Sequence, residues 1–508
     1  MSLIYDAIIV GSGLGGLSCG AYLAKNGWKI LVLEKHSIPG GYATSYRRGD
    51  FIFDSTLHLL NGVGKGQDNY KFLEWCGVSQ KVEFTKLKYF ARLIFPEHDI
   101  RLPSGDLQSA ITILEETFPN EKQCIRSFFK EALKLYKNTI NFLFSTTPMW
   151  LQLPVFPFRY TTLLFNMRKT TKKFLNKHLK DTKLKAIILG DWGFFGSLPS
   201  KFNVAPIFFN MGFLLNGAYY PENGSQTLPN AFVTVIKQHN GRTILNSEVT
   251  SIIVDNGKAV GVLTEKGDKF LGKNIISNVN PMNTFNKMIG KEKLPEKFIE
   301  RISKMEITSS VFSIHIGLDE NFSIEKENRD DFEIIVSNTY DPDEDYQWSL
   351  NGDVERACIG ITLRPNVPNA SAGGNKYRLG IVQPQSFDCW KKYEKDYNIG
   401  NKNEYNLEKE RIAKILIERT EKVLPGISKH IEVIDIATPL TLKRYTGNPE
   451  GAMMGWANTV NQFLPWNRLS SLPIKNLFLS SAWTFPSGGQ TEVITAGYRL
   501  AKNLVGKQ

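Results

Sequence analysis

The chain has 508 residues, 42% of them hydrophobic and 22% charged, which is an ordinary composition for a folded globular protein. Since this length exceeds what one small core uses, we expect about two to four domains' worth of material. Lys and Arg (62) outnumber Asp and Glu (50), and the net charge of +12 favours anionic partners. No nucleic-acid-binding motif is present, so we expect no nucleic acid and regard a membrane surface as the better partner. An excess of lysine that only keeps a large protein in solution is the alternative.

The five cysteines are scattered and include no Cys-x-x-Cys, so neither a metal site nor a dithiol redox pair is expected. This usage fits a reducing compartment. The first predicted strand begins close to Met1 and leaves no room for a signal peptide. Two uncharged runs, residues 138–158 and 202–221, are interrupted by proline and are not expected to span a membrane. We therefore predict a cytoplasmic protein that is peripheral on the membrane.

The strongest motif lies at the N-terminal end. An unbroken apolar run, Ala7 to Val10, predicts a strand that is buried on both faces. It leads directly into Gly11-x-Gly13-x-x-Gly16, after which apolar residues continue at helical spacing. Strand, glycine turn and helix in this order are typical of a dinucleotide site, where the glycines permit a tight turn, close approach of a pyrophosphate and close helix packing. The helix N-terminus offers free N–H groups to the phosphates.

A second strand, residues 29–33, ends at Glu34, whose carboxylate is suited to accept hydrogen bonds from ribose hydroxyls. The paired glycines Gly40 and Gly41 follow, and they let the backbone lie against the rest of a long dinucleotide. Residues 46–54 are then predicted to form a hairpin with Arg48-Gly49-Asp50 near its turn.

These motifs together resemble a known family. The glycine motif, Glu34, the Gly40-Gly41 pair and Phe53-Asp54 are similar to the FAD-binding opening of phytoene desaturases and their relatives, which include carotenoid isomerases, retinol saturases and amine oxidases. His58, which follows Phe53-Asp54, is closest to the retinol saturase branch. The resemblance is strong over about the first sixty residues, good over the last thirty, and only a pattern between them.

The middle of the chain carries weaker signals. Residues 81–120 are predicted to form strands, at 89–95 and 100–102, and residues 121–144 a helix with one apolar face. An aromatic, proline-broken segment at 149–160 precedes a lysine-rich stretch at 168–185. Aromatic residues beside basic ones suit a protein that dips into one leaflet and contacts acidic headgroups. A helical cap domain with solvated lysines is the alternative.

The sequence after residue 190 again contains patterns that indicate parts of a binding site. Residues 191–220 are rich in Gly and Phe and form a candidate wall for a long apolar pocket, although an ordinary core fits nearly as well. Residues 228–239 predict a helix, and residues 242–280 a meander of strands that returns to the first sheet. By the resemblance, Val249 meets the adenine through its backbone, and Ser277 and Asn278 approach the cofactor.

An antiparallel sheet below a substrate pocket is predicted from the alternating strands between residues 307 and 363 and the strand at 430–437. Between them we predict a polar loop over residues 392–403 and a helix over residues 407–424. The final stretch, residues 476–505, predicts a strand, a glycine turn and a helix beginning at Thr491.

In the family that this chain resembles, the last helix points its N-terminus at the pyrimidine end of the flavin, whose reduced anion the helix dipole stabilises. Three positions depart from the family's pattern. Ser481 and Ser487 stand where glycine is common, and Glu492 stands where a small residue is usual. A carboxylate near the flavin disfavours the reduced anion unless it points away or is protonated, so the redox direction stays open.

The resemblance implies an α/β fold: a Rossmann-like FAD-binding domain of the amine-oxidase-like (GR2) type, interleaved with an α+β substrate domain and a helical membrane-associating region. The expected division is residues 1–80, 225–300 and 438–508 for the FAD-binding domain, 81–224 for the substrate and lid region, and 301–437 for the substrate sheet. The expected FAD-binding residues are Gly11, Ser12, Gly13, Leu14, Gly15, Gly16, Glu34, Lys35, Gly40, Gly41, Tyr42, Ala43, Thr44, Val249, Ser277, Asn278, Ala482, Gly489, Glu492, Val493 and Ile494.

The predicted function is that of an FAD-dependent oxidoreductase that desaturates or saturates C–C bonds of an apolar polyene or isoprenoid lipid. Its electron donor or acceptor is either a quinone or a diffusible carrier. A flavin-dependent isomerase of a carotenoid or polyunsaturated fatty acid is the main alternative, and an amine oxidase or a prenyl-lipid escort protein remain further ones. His58 is the candidate proton donor, with a cofactor- or loop-bonding role as its alternative, and Glu492 is the second candidate catalytic residue.

Overall fold

The fold is taken from a computed structural model that describes residues 4–56, 58–144, 154–325, 328–365, 376–462, 472–484 and 488–506. The N-terminal part of the predicted aromatic segment (149–153) and Ser487 lie outside the described residues.

The strands are numbered in chain order. They are β1 (Ile4–Val10), β2 (Ile30–Leu33), β3 (Ser45–Arg48), β4 (Phe51–Asp54), β5 (Phe84–Lys86), β6 (Tyr89–Phe95), β7 (His98–Pro103), β8 (Tyr219–Pro221), β9 (Arg242–Ile244), β10 (Val249–Asp255), β11 (Lys258–Thr264), β12 (Lys269–Ser277), β13 (Ser310–Leu318), β14 (Glu333–Val336), β15 (Ile359–Pro365), β16 (Tyr377–Gln385), β17 (Ile431–Ala437) and β18 (Leu477–Leu479).

The α-helices are numbered in the same way, and a π-helix spans Asn283–Gly290. They are α1 (Leu14–Lys25), α2 (Asp68–Cys76), α3 (Leu107–Thr117), α4 (Lys122–Leu143), α5 (Phe156–Arg159), α6 (Thr161–Asn166), α7 (Thr171–His178), α8 (Thr182–Ile188), α9 (Ala205–Asn216), α10 (Thr227–Gln238), α11 (Glu296–Ser303), α12 (Pro342–Leu350), α13 (Asp388–Lys391), α14 (Glu394–Asn398), α15 (Asn403–Glu421), α16 (Pro439–Thr446) and α17 (Gln490–Val505).

The first sheet has the order β10-β11-β12-β1-β2-β9, and β18 pairs with β12. Strands β18, β12, β1, β2 and β9 run parallel, whereas β10 and β11 form an antiparallel meander on one side. The carboxyl ends of parallel strands meet at one edge of a sheet, which is where such folds bind ligands. This edge therefore collects loops from widely separated parts of the chain.

The second sheet has the order β17-β13-β16-β15-β14-β6-β7 and is antiparallel except between β14 and β6. Its strands come from residues 89–103, 310–385 and 431–437, so the early strands β6 and β7 join a sheet that is otherwise built much later in the chain. The predicted antiparallel sheet and the predicted hairpin of β3 and β4 are both confirmed.

Two local predictions are wrong in part. The strands predicted at 89–95 and 100–102 are confirmed as β6 and β7, but the rest of residues 81–120 includes helix α3, which Asp106 caps by accepting a hydrogen bond from the Ser109 backbone N–H at 3.0 Å. The polar loop predicted over residues 392–403 contains the short helix α14. Its Tyr397 packs edge-on against Tyr405 with ring centroids 4.9 Å apart, and this contact stabilises the turn.

The region after α4 is built from short helices, α5 to α8, that pack on α4 through a shared apolar cluster containing Phe128, Phe142, Tyr160 and Phe174. Two phenylalanines of the region nevertheless face outward: Phe158 is 83% and Phe165 69% exposed. Within the residues that the structure describes, no helix combines the length and the apolar character that crossing a membrane requires.

Candidate dinucleotide and substrate site

A large cavity of about 1030 Å³ connects the carboxyl edge of the first sheet to one face of the second sheet. Its walls include the glycine loop after β1, the loop after β2, and the turn before α17. Gly13 and Gly489, from the two ends of the chain, both line it. The cavity therefore has the place and the size of a ligand site at the strand ends of an α/β sheet.

The glycine loop has the geometry that the motif predicts. Gly11 has φ of +92°, a conformation that favours glycine, and a Cβ on Gly16 would lie 2.9 Å from the Gly11 carbonyl oxygen. Helix α1 can therefore begin directly against β1. Its first backbone N–H groups have no partner within the helix, and they face the strand edge where the cavity lies.

Glu34 is buried at the end of β2 and holds this loop in place. One carboxylate oxygen, Oε2, accepts hydrogen bonds from the Ser12 backbone N–H at 2.8 Å and from the Ser12 hydroxyl at 2.7 Å. The other, Oε1, accepts from the His36 backbone N–H at 2.9 Å. A carboxylate offers about four acceptor positions, so one position of Oε1 is free for a ribose hydroxyl.

The C-terminal elements close the same site. The Ser480 hydroxyl, just after β18, donates to the Gly15 carbonyl at 2.7 Å, and the Ser18 hydroxyl of α1 donates to the Ile494 carbonyl of α17 at 3.2 Å. At the start of α17, both polar atoms of the Gln490 amide are buried and without a hydrogen-bond partner among the described residues. Since buried amides normally find partners, this amide marks a place where a polar ligand fits.

Glu492 lies in the first turn of α17 and lines the cavity. Burial raises the pKa of its carboxyl to about 7, so the group is half protonated near neutral pH. The conflict expected between this acid and a reduced flavin anion is thus limited to the fraction of molecules in which Glu492 is charged.

Of the residues expected to bind a cofactor, three do not line the cavity: Gly16, Ser277 and Ile494. Gly16 packs on Gly11, the Ser277 hydroxyl bonds the Thr284 hydroxyl at 2.8 Å, and the Ile494 side chain is buried between helices. Each of these three residues therefore supports the structure around the cavity but does not form part of the cavity wall. The remaining residues of the expected set all line it.

The far end of the cavity is apolar. Its lining there includes the aromatic residues Phe90, Phe194, Phe195, Phe209 and Phe213. The Gly- and Phe-rich stretch predicted as a pocket wall does line this lobe.

One buried acid, Asp191, interrupts the apolar lobe. Burial raises its pKa to about 7, although a hydrogen bond from Asn210 Nδ2 at 3.2 Å opposes the rise. The lobe thus suits a long apolar molecule that carries few polar groups.

His58 lies on the cavity wall beside this lobe. Its Nδ1 is 2.9 Å from Glu333 Oε2, and its ring meets Phe194 edge-on with centroids 5.2 Å apart. The sequence singled out His58 but not Glu333, since nothing near position 333 forms a motif.

A second buried charge cluster surrounds Asp54. Arg364 Nη1 lies 2.9 Å and Arg378 Nη1 3.8 Å from Asp54 Oδ2, and the Tyr220 hydroxyl donates to the same oxygen. Burial alone would raise the pKa of Asp54, but the two guanidinium groups and the Tyr220 bond outweigh it and hold the pKa at about 2. The cluster fixes the β3–β4 hairpin to the second sheet. No motif in the sequence indicated that Arg364 and Arg378 pair with Asp54.

Fold and site together define a protein with a Rossmann-like domain and an attached apolar pocket. Residues 9–74 match the family described as NAD(P)-binding Rossmann-like domain. Among solved structures, cyclohexylamine oxidase from Brevibacterium oxydans has a TM-score of 0.62 at 12% identity and covers 99% of each chain. This likeness confirms the amine-oxidase-like fold.

Two curated relatives align over nearly the whole chain. The chloroplastic prolycopene isomerase of Daucus carota is 27% identical over 98% of this chain and 79% of its own length. The all-trans-retinol 13,14-reductase of Danio rerio is 24% identical over 94% of this chain and 82% of its own length. The resemblance to the carotenoid isomerase and retinol saturase-like group is thereby confirmed.

Proposed function

We propose that this protein binds FAD in the cavity and acts on C–C double bonds of an apolar polyene. The observation that carries the proposal is the continuity of one cavity, from the glycine loop at Gly13 to the phenylalanine-lined lobe. A dinucleotide and a long apolar molecule fit there end to end, with the reacting bond next to the cofactor.

The residues present fit the cofactor. The N–H groups of the first turn of α1, which have no partner within the helix, suit the pyrophosphate, and the open acceptor position of Glu34 suits a ribose hydroxyl. The orphan Gln490 amide, with one donor and one acceptor face, suits the pyrimidine edge of a flavin. Bound FAD supplies hydride transfer to or from carbon, and the chain supplies position, exclusion of water and protons.

His58 is the group that moves a proton in this proposal. It lines the cavity within contact of Phe194, so its imidazole reaches a molecule in the apolar lobe. Saturation of a double bond needs one proton and one hydride, and an imidazole is suited to exchange the proton near neutral pH. Glu492, the other catalytic candidate, affects the charge around the cofactor through its raised pKa.

Isomerisation of a double bond without net oxidation or reduction is the second candidate. The observation that favours it is the name of the relative from Daucus carota, a prolycopene isomerase, which is slightly more similar to this chain than the retinol reductase is. The same cavity and the same His58 serve either outcome, because reduction and isomerisation both begin at the polyene double bond.

We also propose that the protein is peripheral on a membrane, from which an apolar substrate enters. The exposed Phe158 and Phe165, in α5 and α6, are followed along the chain by helices α7 and α8, which carry Lys172, Lys173 and Lys185. Aromatic side chains that enter a leaflet next to lysines that meet anionic headgroups give such binding.

The test begins with the purified protein. Flavin absorbance with about one FAD per chain is expected. Each member of a panel of cis and all-trans polyenes, carotenoids and retinoids among them, is then added anaerobically to the photoreduced protein. Saturated product with reoxidation of the flavin, seen as a return of its visible absorbance, supports the reductase, and a geometric isomer without reoxidation supports the isomerase. A colourless protein that does not bind added FAD overturns both, and peroxide release with amines identifies an amine oxidase instead.

A further inference from the structure

The side chain of Glu333 is completely buried behind His58, which lines the cavity. Its exposed fraction is 0%, against 18% for His58. Glu333 is the first residue of β14, which lies between β15 and β6 within the second sheet. A carboxylate in such a place loses several kcal/mol of hydration, about the cost of any buried ion, and needs a partner that replaces the lost water.

His58 is that partner. The Nδ1 atom lies 2.9 Å from Oε2 and 3.2 Å from Oε1 of Glu333, and among the described residues no other group hydrogen-bonds this carboxylate. Because a carboxylate only accepts hydrogen bonds, the contact requires a proton on Nδ1. The pairing thus fixes which ring nitrogen carries the N–H.

The rest of the ring is fixed as well. Phe194 meets the imidazole edge-on at an interplanar angle of 70°. His58 lines the cavity, and its Nε2 has no hydrogen-bond partner among the described residues. With Nδ1 held by Glu333, Nε2 is the nitrogen left for a ligand.

We infer that Glu333 is a positioning residue for the reaction: it holds the Nδ1–H of His58, so that Nε2 exchanges the proton with the substrate. The inference rests on the proposed function. In saturation, the Nε2–H bond of the imidazolium breaks and a C–H bond forms on one carbon of the double bond. The neighbouring carbon receives a hydride, with its two electrons, from the reduced flavin, and the imidazole regains its proton from solvent. In isomerisation, the same nitrogen gives a proton and takes one back.

The kinetic test compares Glu333→Gln, which removes the charge at nearly constant volume, with Glu333→Asp, which keeps it. Outer partners of a functional histidine typically contribute about 10–100-fold, so we expect Glu333→Gln to lower kcat by that factor while KM and FAD content stay within about twofold. Glu333→Asp restores part of kcat. The matched control is Asp319→Asn, which breaks a similar contact of 3.0 Å to His430 Nδ1 away from the cavity and leaves kcat unchanged.

A second measurement does not depend on turnover. With ¹⁵N-labelled histidine, the His58 ring signals are identified by their loss in His58→Gln, and they are expected to show a protonated Nδ1 in the wild type. In Glu333→Gln the amide can donate to Nδ1, so the Nε2–H tautomer should appear.

Unchanged His58 signals in Glu333→Gln, or a kcat within about twofold of wild type, overturn the inference, because an outer partner of this kind contributes more than that. A fall in kcat that only follows a loss of FAD assigns Glu333 a structural role and overturns it too. A wild-type protein that binds no FAD or turns over no polyene refutes the proposed function instead, and the ring signals still report the pairing.

Discussion

The Asn278 side chain accepts a hydrogen bond from the Gly13 backbone N–H, with 2.8 Å between Oδ1 and N. Its Nδ2 donates at the same time to the Ser480 carbonyl. One amide, standing at the end of β12, therefore joins the loop after β1 to the loop after β18. This single side chain thus contacts all three strand ends that surround the proposed pyrophosphate position.

Asn278→Ala should therefore loosen the nucleotide site. The change leaves two backbone groups without partners, which costs about 1–3 kcal/mol each where they stay buried, and we expect FAD affinity to fall at least about tenfold. Fluorescence titration with FAD and urea unfolding measure the two effects. Asn274→Ala is the matched control, because Asn274 of the same strand donates to the Asp6 carbonyl at 2.9 Å, remote from the cavity. Equal FAD affinities of the two variants would contradict this role.

The Asp54 cluster predicts a pH-dependent stability. The folded pKa of about 2 lies below the ordinary value of 3.8, so the ionised group contributes stability that is complete above pH 3.8 and lost as pH falls through 2. This shift corresponds to about 2 kcal/mol.

Asp54→Asn should lower the free energy of unfolding by about 3–5 kcal/mol at pH 7, because Arg364 and Arg378 stay buried without their counterion. The loss relative to wild type should shrink as the pH approaches 3. Urea unfolding across this range measures it, and a difference that is the same at every pH would argue against the ion cluster as its source.

Glu492 predicts a pH-dependent redox potential. Its carboxyl titrates with a pKa of about 7, so above pH 7 its negative charge should disfavour a reduced flavin anion, and below pH 7 it should not. Glu492→Gln is expected to raise the midpoint potential of bound flavin at pH 8.5 and to match wild type at pH 6, two values on either side of that pKa. Spectroelectrochemical titration at the two pH values measures it. A constant offset at both would show that the charge of Glu492 is not the cause.

A larger side chain in place of Gly193 is expected to fill part of the apolar lobe. A Cβ on Gly193 would lie 3.3 Å from Pro384 Cγ and 3.7 Å from Cys358 Sγ, and all three residues line the cavity. Gly193→Leu should therefore obstruct the lobe and raise KM for a polyene at least about tenfold, since substrate carbons lose their place in the pocket. FAD content should not change, because the nearest neighbours of a Cβ on Gly193 are Pro384 and Cys358 and not residues of the glycine loop. An unaltered KM would place the polyene elsewhere.

Membrane binding is tested at the exposed aromatic side chains. Phe158→Ser with Phe165→Ser should reduce the fraction of protein that sediments with anionic vesicles several-fold, because each side chain contributes roughly 1.5–3 kcal/mol when buried in apolar surroundings. Ile399→Ser is the matched control, since Ile399 is 73% exposed on a different part of the molecule. If the control reduces sedimentation equally, the aromatic pair has no special part in binding.

The nucleotide half of the site could be predicted from sequence because its signals are local. A buried strand, a glycine that needs positive φ at Gly11 and a helix follow one another within a few residues, and only one packing satisfies them. Helix α3 was not predicted, although Asp106 and Ser109 form its N-terminal cap. The alternation of apolar and polar residues in the preceding strands favoured a further strand.

The chemistry of the pocket could not be predicted in this way. Glu333 and His58 are separated by 275 positions, and Asp54 and Arg364 by 310, so their pairing depends on how two sheets face each other. A lone Glu at the start of a strand has the appearance of a surface residue until that packing is known.

The bond between Ser480 and Gly15 spans 465 positions and closes the site from the C-terminal side. The proposed nucleotide site is consequently complete only after the ribosome has released the segment around α17. Binding of the proposed cofactor is then a late event in synthesis, and the incomplete chain has to protect its open strand edges by other means until that moment.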